Sequence, residues 1–252
     1  MLRTILVSLF ILCVSGTYAQ QSKNIYCDNL VWTQYQLRGQ FTDKWSLHTD
    51  VGYRTHDYLK EKAQYLFRIG VIYQLSTKVN IQAGYAYFST NQFLNGYSEV
   101  MRPEQRLYQR ITVMQQVGRF EFRHRYRLEE RLNQNISKGV LQEGYTGSFR
   151  FGYQIYVSCA FNNVKIKEKT IYGFASDELF VSFGKHVVNT FDQNRAAIGL
   201  GYQFTKGLGA TLFYQYIYGQ QPTGTQLYTY NVYCVGISQT LDFRKKEETP
   251  SK

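Results

Sequence analysis

The sequence has 252 residues, a formal net charge of +11, a mean hydropathy of −0.38 and 17% aromatic residues, with 23 Tyr and 17 Phe against only 3 Pro. This composition excludes collagen-like and low-complexity chains. Beyond residue 19 no stretch approaches the roughly 20 continuous apolar residues of a membrane helix, which excludes a helical membrane protein.

Met1-Leu2-Arg3-Thr4 carries one positive charge and leads into an apolar run from Ile5 to Val14, followed by Ser15-Gly16-Thr17-Tyr18-Ala19. Small residues at Thr17 and Ala19 stand where a signal peptidase needs them, so residues 1–19 read as a cleaved signal peptide. A lipoprotein reading of Cys13 fails because bulky Ile11 and Leu12 precede it. Export makes nucleic acid an unlikely partner for the surplus of Lys and Arg, whose place has to be sought elsewhere.

From Leu30 the chain falls into alternating runs of about ten to fourteen residues, the pattern of a transmembrane β-barrel. In the first hairpin Val31, Thr33, Tyr35 and Leu37 alternate with Trp32, Gln34, Gln36 and Arg38. After Thr42-Asp43-Lys44 come Trp45, Leu47, Thr49, Val51 and Tyr53 against Ser46, His48, Asp50, Gly52 and Arg54. A second hairpin places Tyr65, Phe67, Ile69, Val71 and Tyr73 on one face before Ser76-Thr77-Lys78, and Val79, Ile81, Ala83, Tyr85 and Tyr87 after it. Gly70 and Gly84 fall on the opposite, inward face.

The clearest segment runs from Arg119 to Leu132. Phe120, Phe122, His124, Tyr126 and Leu128 alternate with Arg119, Glu121, Arg123, Arg125, Arg127, Glu129 and Arg131. A helix would scatter these charges around its circumference, whereas a strand collects them on one face. Further strands are expected near 104–116, 144–158, 169–183, 194–205, 207–219 and 226–243. Long loops are expected near 55–63, 89–103, 133–143, 184–193 and 219–226.

The strand count is eleven, but single-chain bacterial barrels have even numbers, so twelve is preferred, with 22–29 as a short extra strand, and ten is the alternative. The expected architecture is one all-β antiparallel transmembrane barrel over residues 20–243, followed by a charged tail, 244–252. The last strand ends in Leu241-Asp242-Phe243, a terminal aromatic of the kind that barrel-assembly machinery reads during insertion.

With the apolar face outward, the lumen carries a charge network of Asp50, Arg54, Glu104, Arg106, Arg110, Arg119, Glu121, Arg123, Arg125, Arg127, Glu129, Arg131, Glu178 and Arg195. Arg38, Arg68 and Arg150 share that face. Forked guanidinium donors can satisfy the carboxylates and tie opposite walls together. Alternatively, surplus arginines give a narrow pore a leaning toward small anionic solutes.

Ser46, His48 and Asp50 share one face and invite a hydrolase reading, yet alternate residues on a strand stand about 7 Å apart, too far for nucleophile and base. No catalytic residue is therefore assigned. No two histidines among His48, His56, His124 and His186 have ligand spacing, and Cys27, Cys159 and Cys234 form no metal or disulfide framework, so no metal or cofactor is expected. Trp45, Tyr87, Tyr216 and Tyr218 read as membrane-interface anchors.

The chain resembles the outer-membrane barrel proteins grouped as domain of unknown function 2490, common in Bacteroidetes. The resemblance rests on Val31-Trp32, the Trp45 strand ending Gly52-Tyr53-Arg54, and the segment Glu104-Gln105-Arg106-Leu107-Tyr108-Gln109-Arg110. It extends through Arg123-His124-Arg125-Tyr126-Arg127-Leu128-Glu129-Glu130-Arg131, Ser176-Asp177-Glu178, Asn194-Arg195 and Gly199-Leu200-Gly201-Tyr202. It implies an outer-membrane β-barrel and carries over no activity; a monomer in contact with outer-membrane lipid is expected. The competing functions are a structural or small-solute barrel, and a lipid-active enzyme or lipid-binding protein. A soluble periplasmic barrel is disfavoured because its interior could not hold so many apolar faces.

Overall fold

A computed structural model describes residues 25–91, 100–220 and 226–244. Residues 1–19, read as the signal peptide, and most of the tail beyond Arg244 lie outside the described residues.

Eleven strands form one closed sheet: β1 (Ile25–Gln40), β2 (Trp45–His56), β3 (Glu61–Gln74), β4 (Val79–Asn91), β5 (Met101–Val117) and β6 (Phe120–Ser137), followed by β7 (Val140–Ala160), β8 (Thr170–Phe183), β9 (Phe191–Gln203), β10 (Leu208–Gln220) and β11 (Leu227–Asp242). No helix occurs among the described residues. Every strand is antiparallel to its neighbours in sequence, and β1 closes on β11 in parallel, from Ile25 opposite Leu227 to Gln40 opposite Asp242.

The expected twelve strands, and the alternative ten, are therefore corrected to eleven, and the wholly antiparallel sheet to a mixed one. Residues from Ile25 onward extend β1 rather than forming a strand of their own. Alternation records which side chains share a face and is blind to the direction of the partner strand, so it cannot reveal a parallel closure.

An odd count sends the start of β1 and the end of β11 to opposite rims. One rim carries Ile25 and the connections β2–β3, β4–β5, β6–β7, β8–β9 and β10–β11. The other carries the remaining connections and Phe243. We call these the upper and lower rims.

The long loop expected at 133–143 is instead strand. β6 and β7 run on to a two-residue turn of Lys138 and Gly139, with φ of 49° and 76°. Two consecutive positive φ values match the twist of a tight hairpin, which Gly139 permits at the second position. The β2–β3 connection shrinks to residues 57–60, and the longest described connection, 161–169, is on the lower rim.

The two faces of the wall differ as the alternation predicts. Val51, Tyr53, Tyr65, Phe67, Ile69, Val71, Leu107, Ile111, Tyr126, Ile198, Leu200, Leu212, Val235 and Ile237 are exposed on the outer surface. Inward positions hold the buried charges together with two apolar clusters. Leu30, Ile217, Val232 and Cys234 meet across the β1–β11 seam, and Leu66, Ala86, Phe88 and Tyr108 line β3 to β5. Sequence reading, which assigned the lumen to polar groups, missed these clusters.

Candidate functional site in the barrel interior

The upper half of the lumen is crossed by a buried ion-pair network. Arg106 donates from Nη2 to Glu104 at 2.7 Å and from Nη1 to Glu129 at 3.2 Å. Glu104 also accepts from Arg131 Nε at 2.5 Å, and Glu129 from Arg150 Nη2 at 2.6 Å. Glu178 accepts from Arg125 at 2.9 Å and Arg127 at 3.0 Å. Each of these carboxylates thus serves at least two guanidinium groups, which offsets part of the cost of taking charges out of water.

Asp192 joins the network by accepting from Arg131 and Arg150 at 3.3 and 3.4 Å, and from the Ser182 hydroxyl at 2.9 Å. Sequence reading missed it. Simple alternation from Arg195 and Gln193 points Asp192 outward, but a register shift at Phe180/Val181 places Phe191 opposite Val181 and re-aims the strand end.

Aromatic rings fill the space between the charges. Phe180 is completely buried, with the guanidinium carbons of Arg150, Arg195 and Arg127 at 4.4, 5.0 and 5.1 Å from its ring centre. Arg106 lies 3.8 Å over Phe88, and Arg54 lies 3.7 Å over Trp32. These contacts join the apolar and charged parts of the interior through cation–π attraction. Phe180 shares the inward parity of Glu178, the one signal in the sequence that could have placed it inside.

The remaining sequence-predicted residues occupy different surroundings. Asp50 is buried and accepts from Arg68 at 2.5 Å and from Gln34 Nε2 at 2.8 Å. Arg54 and Arg195 donate to Gln64 and Gln193 rather than to carboxylates. Glu121 pairs with the half-exposed Arg123 at 2.7 Å near the lower rim. Arg119 departs from the expected network: it is exposed beside the β5–β6 turn and donates to the Phe161 carbonyl.

Ser46, His48 and Asp50 do not meet. Ser46 accepts from Arg38 Nη2 at 3.0 Å, while His48 Nδ1 faces Gln82 Nε2 at 3.5 Å and Asp50 is taken by Arg68. His56, expected in a loop, ends β2 with Nδ1 at 2.5 Å from Asp28. His124 faces outward, 2.9 Å from the Tyr153 hydroxyl. Among the described residues no cluster of His, Cys, Asp and Glu could hold a metal, and Cys27, Cys159 and Cys234 are unbridged. Trp45, Tyr87 and Tyr216 are exposed on the outer wall.

The model of the family described as protein of unknown function (DUF2490) matches residues 29–228. The chain belongs to this family. The DUF2490 match runs from within β1 to the start of β11, so every strand lies wholly or partly inside it. No curated protein and no solved structure matches the chain.

Proposed function

We propose that this DUF2490 protein is a monomeric outer-membrane β-barrel of a Gram-negative bacterium, a structural barrel with a plugged lumen whose narrow path, where one opens, favours small anions. The supporting observation is the layer around Phe180, in which Arg150, Glu129, Glu104 and Arg106 are all at most 7% exposed inside a wall whose outer face is apolar. An apolar exterior suits lipid, and a closed sheet leaves no unpaired edge to face hydrocarbon. The surplus of arginine over carboxylate inside repels cations.

In this reading residues 1–19 are removed on export, and Phe243 is the signal that assembly machinery reads. Ser46, His48 and Asp50 bind other partners, which favours this reading over a lipid-active enzyme.

Outer-membrane fractionation with heat-modifiable migration, followed by planar-bilayer recording, tests the proposal. Intact protein is expected to conduct little, and the double variant Phe180→Ala, Arg150→Ala to conduct with anion preference. Recovery as a soluble protein, or a large cation-selective conductance from the intact chain, would overturn it.

A further inference from the structure

The two halves of the lumen differ. Around the Phe180 layer Glu104, Arg106, Arg127, Glu129, Arg150 and Glu178 are buried. Toward the lower rim, Gln36, Ser238 and Thr240 point inward yet are exposed. A cavity of about 700 Å³ opens there, lined by Gln203, Ser238 and Thr240 with Lys167, Glu168 and Lys206 at its mouth. Across the seam Thr240 is in register with Arg38.

Two arginines of this half, Arg38 and Arg110, lack the carboxylate partners that Arg68 and Arg123 possess. Arg38 donates to the Ser46 hydroxyl, and Arg110 donates from Nη2 to the Gln82 amide oxygen; neither forms an ion pair among the described residues. The Nε groups of Arg38 and Arg110 are buried without a hydrogen-bond acceptor, as are those of Arg68, Arg123, Arg125 and Arg127, whose other nitrogens reach carboxylates. Arg110 lies opposite Arg127 across β5–β6 and feels the like charges of Arg125, Arg127 and Arg68.

The site is held in place from behind. A Cβ added at Gly70 or Gly84 would come within 2.5 or 2.7 Å of the Tyr108 hydroxyl, so the two glycines make room for that group. Tyr108 accepts from Gln82 Nε2 at 2.7 Å, leaving the other end of the Gln82 amide for Arg110. Guanidinium groups fixed in this way and short of counter-ions are arranged as an anion receptor.

We propose that the lower half of the lumen is an oxyanion-binding vestibule, with Arg110 and Arg38 as its principal ligands, that takes the phosphate group of a monoester. Phosphate geometry matches two forked donors approaching from different walls, and Lys167 and Lys206 at the mouth draw the anion inward. The proposal rests on the barrel reading, in which the rim of mostly short turns, here the lower one, faces the periplasm, the side from which the ligand arrives. The same chemistry is offered by a free phosphate and by an anionic lipid headgroup.

Calorimetric titration of the full chain, folded in nonionic detergent, with inorganic phosphate and separately with mixed micelles containing phosphatidic acid tests the idea. Binding is expected to weaken about tenfold or more in Arg110→Gln and in Arg38→Gln, as for loss of a charge-assisted contact, and to persist in Arg54→Gln, whose guanidinium lies on Trp32. Binding of both probes identifies the phosphate group as sufficient, and binding of phosphatidic acid alone assigns the ligand to lipid. Silence with both probes, or binding unchanged in both Arg110→Gln and Arg38→Gln, overturns the proposal. Heat-modifiable migration verifies each variant's fold, and Arg38→Gln carries the test if Arg110→Gln does not fold. A soluble, non-heat-modifiable protein would refute the barrel reading whatever the titration shows.

Discussion

Phe243 stacks on Phe41 with ring centres 5.5 Å apart and planes 16° from parallel, joining the end of β11 to the turn after β1. The Phe243 N–H donates to the Gln40 carbonyl at 2.8 Å, and Arg244 bridges to Asp43 at 2.7 Å. The barrel is therefore clasped at the lower end of its parallel seam. Phe243→Ala is expected to cost about 0.5–1.5 kcal/mol, the worth of an aromatic pair, read as a lower denaturant midpoint. Arg244→Ala, whose ion pairs are exposed, should leave that midpoint almost unchanged.

Glu129 receives Arg150, Arg106 and Arg127 in the buried layer. Glu129→Gln removes the charge that all three share and is expected to destabilise the fold by about 3–5 kcal/mol in a denaturant titration. Glu121→Gln, facing Arg123 at a side-chain exposure of 42%, is the contrasting case and should cost less than about 1 kcal/mol.

The close approach at Gly84 gives a third expectation. A methyl group there would stand 2.7 Å from both the Tyr108 hydroxyl and the Gly70 Cα, so Gly84→Ala should cost about 1–3 kcal/mol by overpacking. At Gly147 the nearest atom to an added methyl is a Leu132 side-chain carbon at 3.6 Å, and Gly147→Ala should fold as the parent does. Comparison of the two thermal or denaturant midpoints checks both.

Under the proposed membrane reading, the parallel seam predicts an unusual disposition of the chain. In a Cys27→Ser background, Ile25→Cys and Val140→Cys lie at one rim and Lys206→Cys at the other. A membrane-impermeant maleimide applied to intact cells should label the first two alike and the third differently. Labelling of Ile25→Cys together with Lys206→Cys would contradict the eleven-stranded closure.

Much of the fold was legible because period-two alternation is a local property. The seven charged residues at alternate positions from Arg119 to Arg131 identified both a strand and its inward face without any knowledge of its neighbours. Strand limits were also close wherever a Gly or polar turn interrupted the pattern. The reading failed where pattern and partner part company: residues 133–137 look polar enough for a loop but are held as strand by pairing with β7. Phe180 and Trp32 stand inside, in parity with Glu178 and Gln34, and arginines cover their rings, a contact that alternation does not reveal.

The candidate site divides in the same way. Arg106, Arg127, Glu104, Glu129 and Glu178 could be placed on inward faces from sequence, yet which carboxylate serves which arginine could not. The shortage of partners at Arg38 and Arg110 could not be seen either, since it depends on side chains from separate strands meeting across a closed wall.

By itself, then, the sequence determined that this chain is a β-protein with an apolar and an arginine-rich face on its strands, because the alternation of Cβ directions is written into neighbouring residues. Only the tertiary structure decided the strand parity, the parallel β1–β11 closure and which arginines the carboxylates leave unpaired. Those features arise from register accumulated around the barrel and from contacts between residues far apart in the chain, as between Arg38 and Thr240 across the seam.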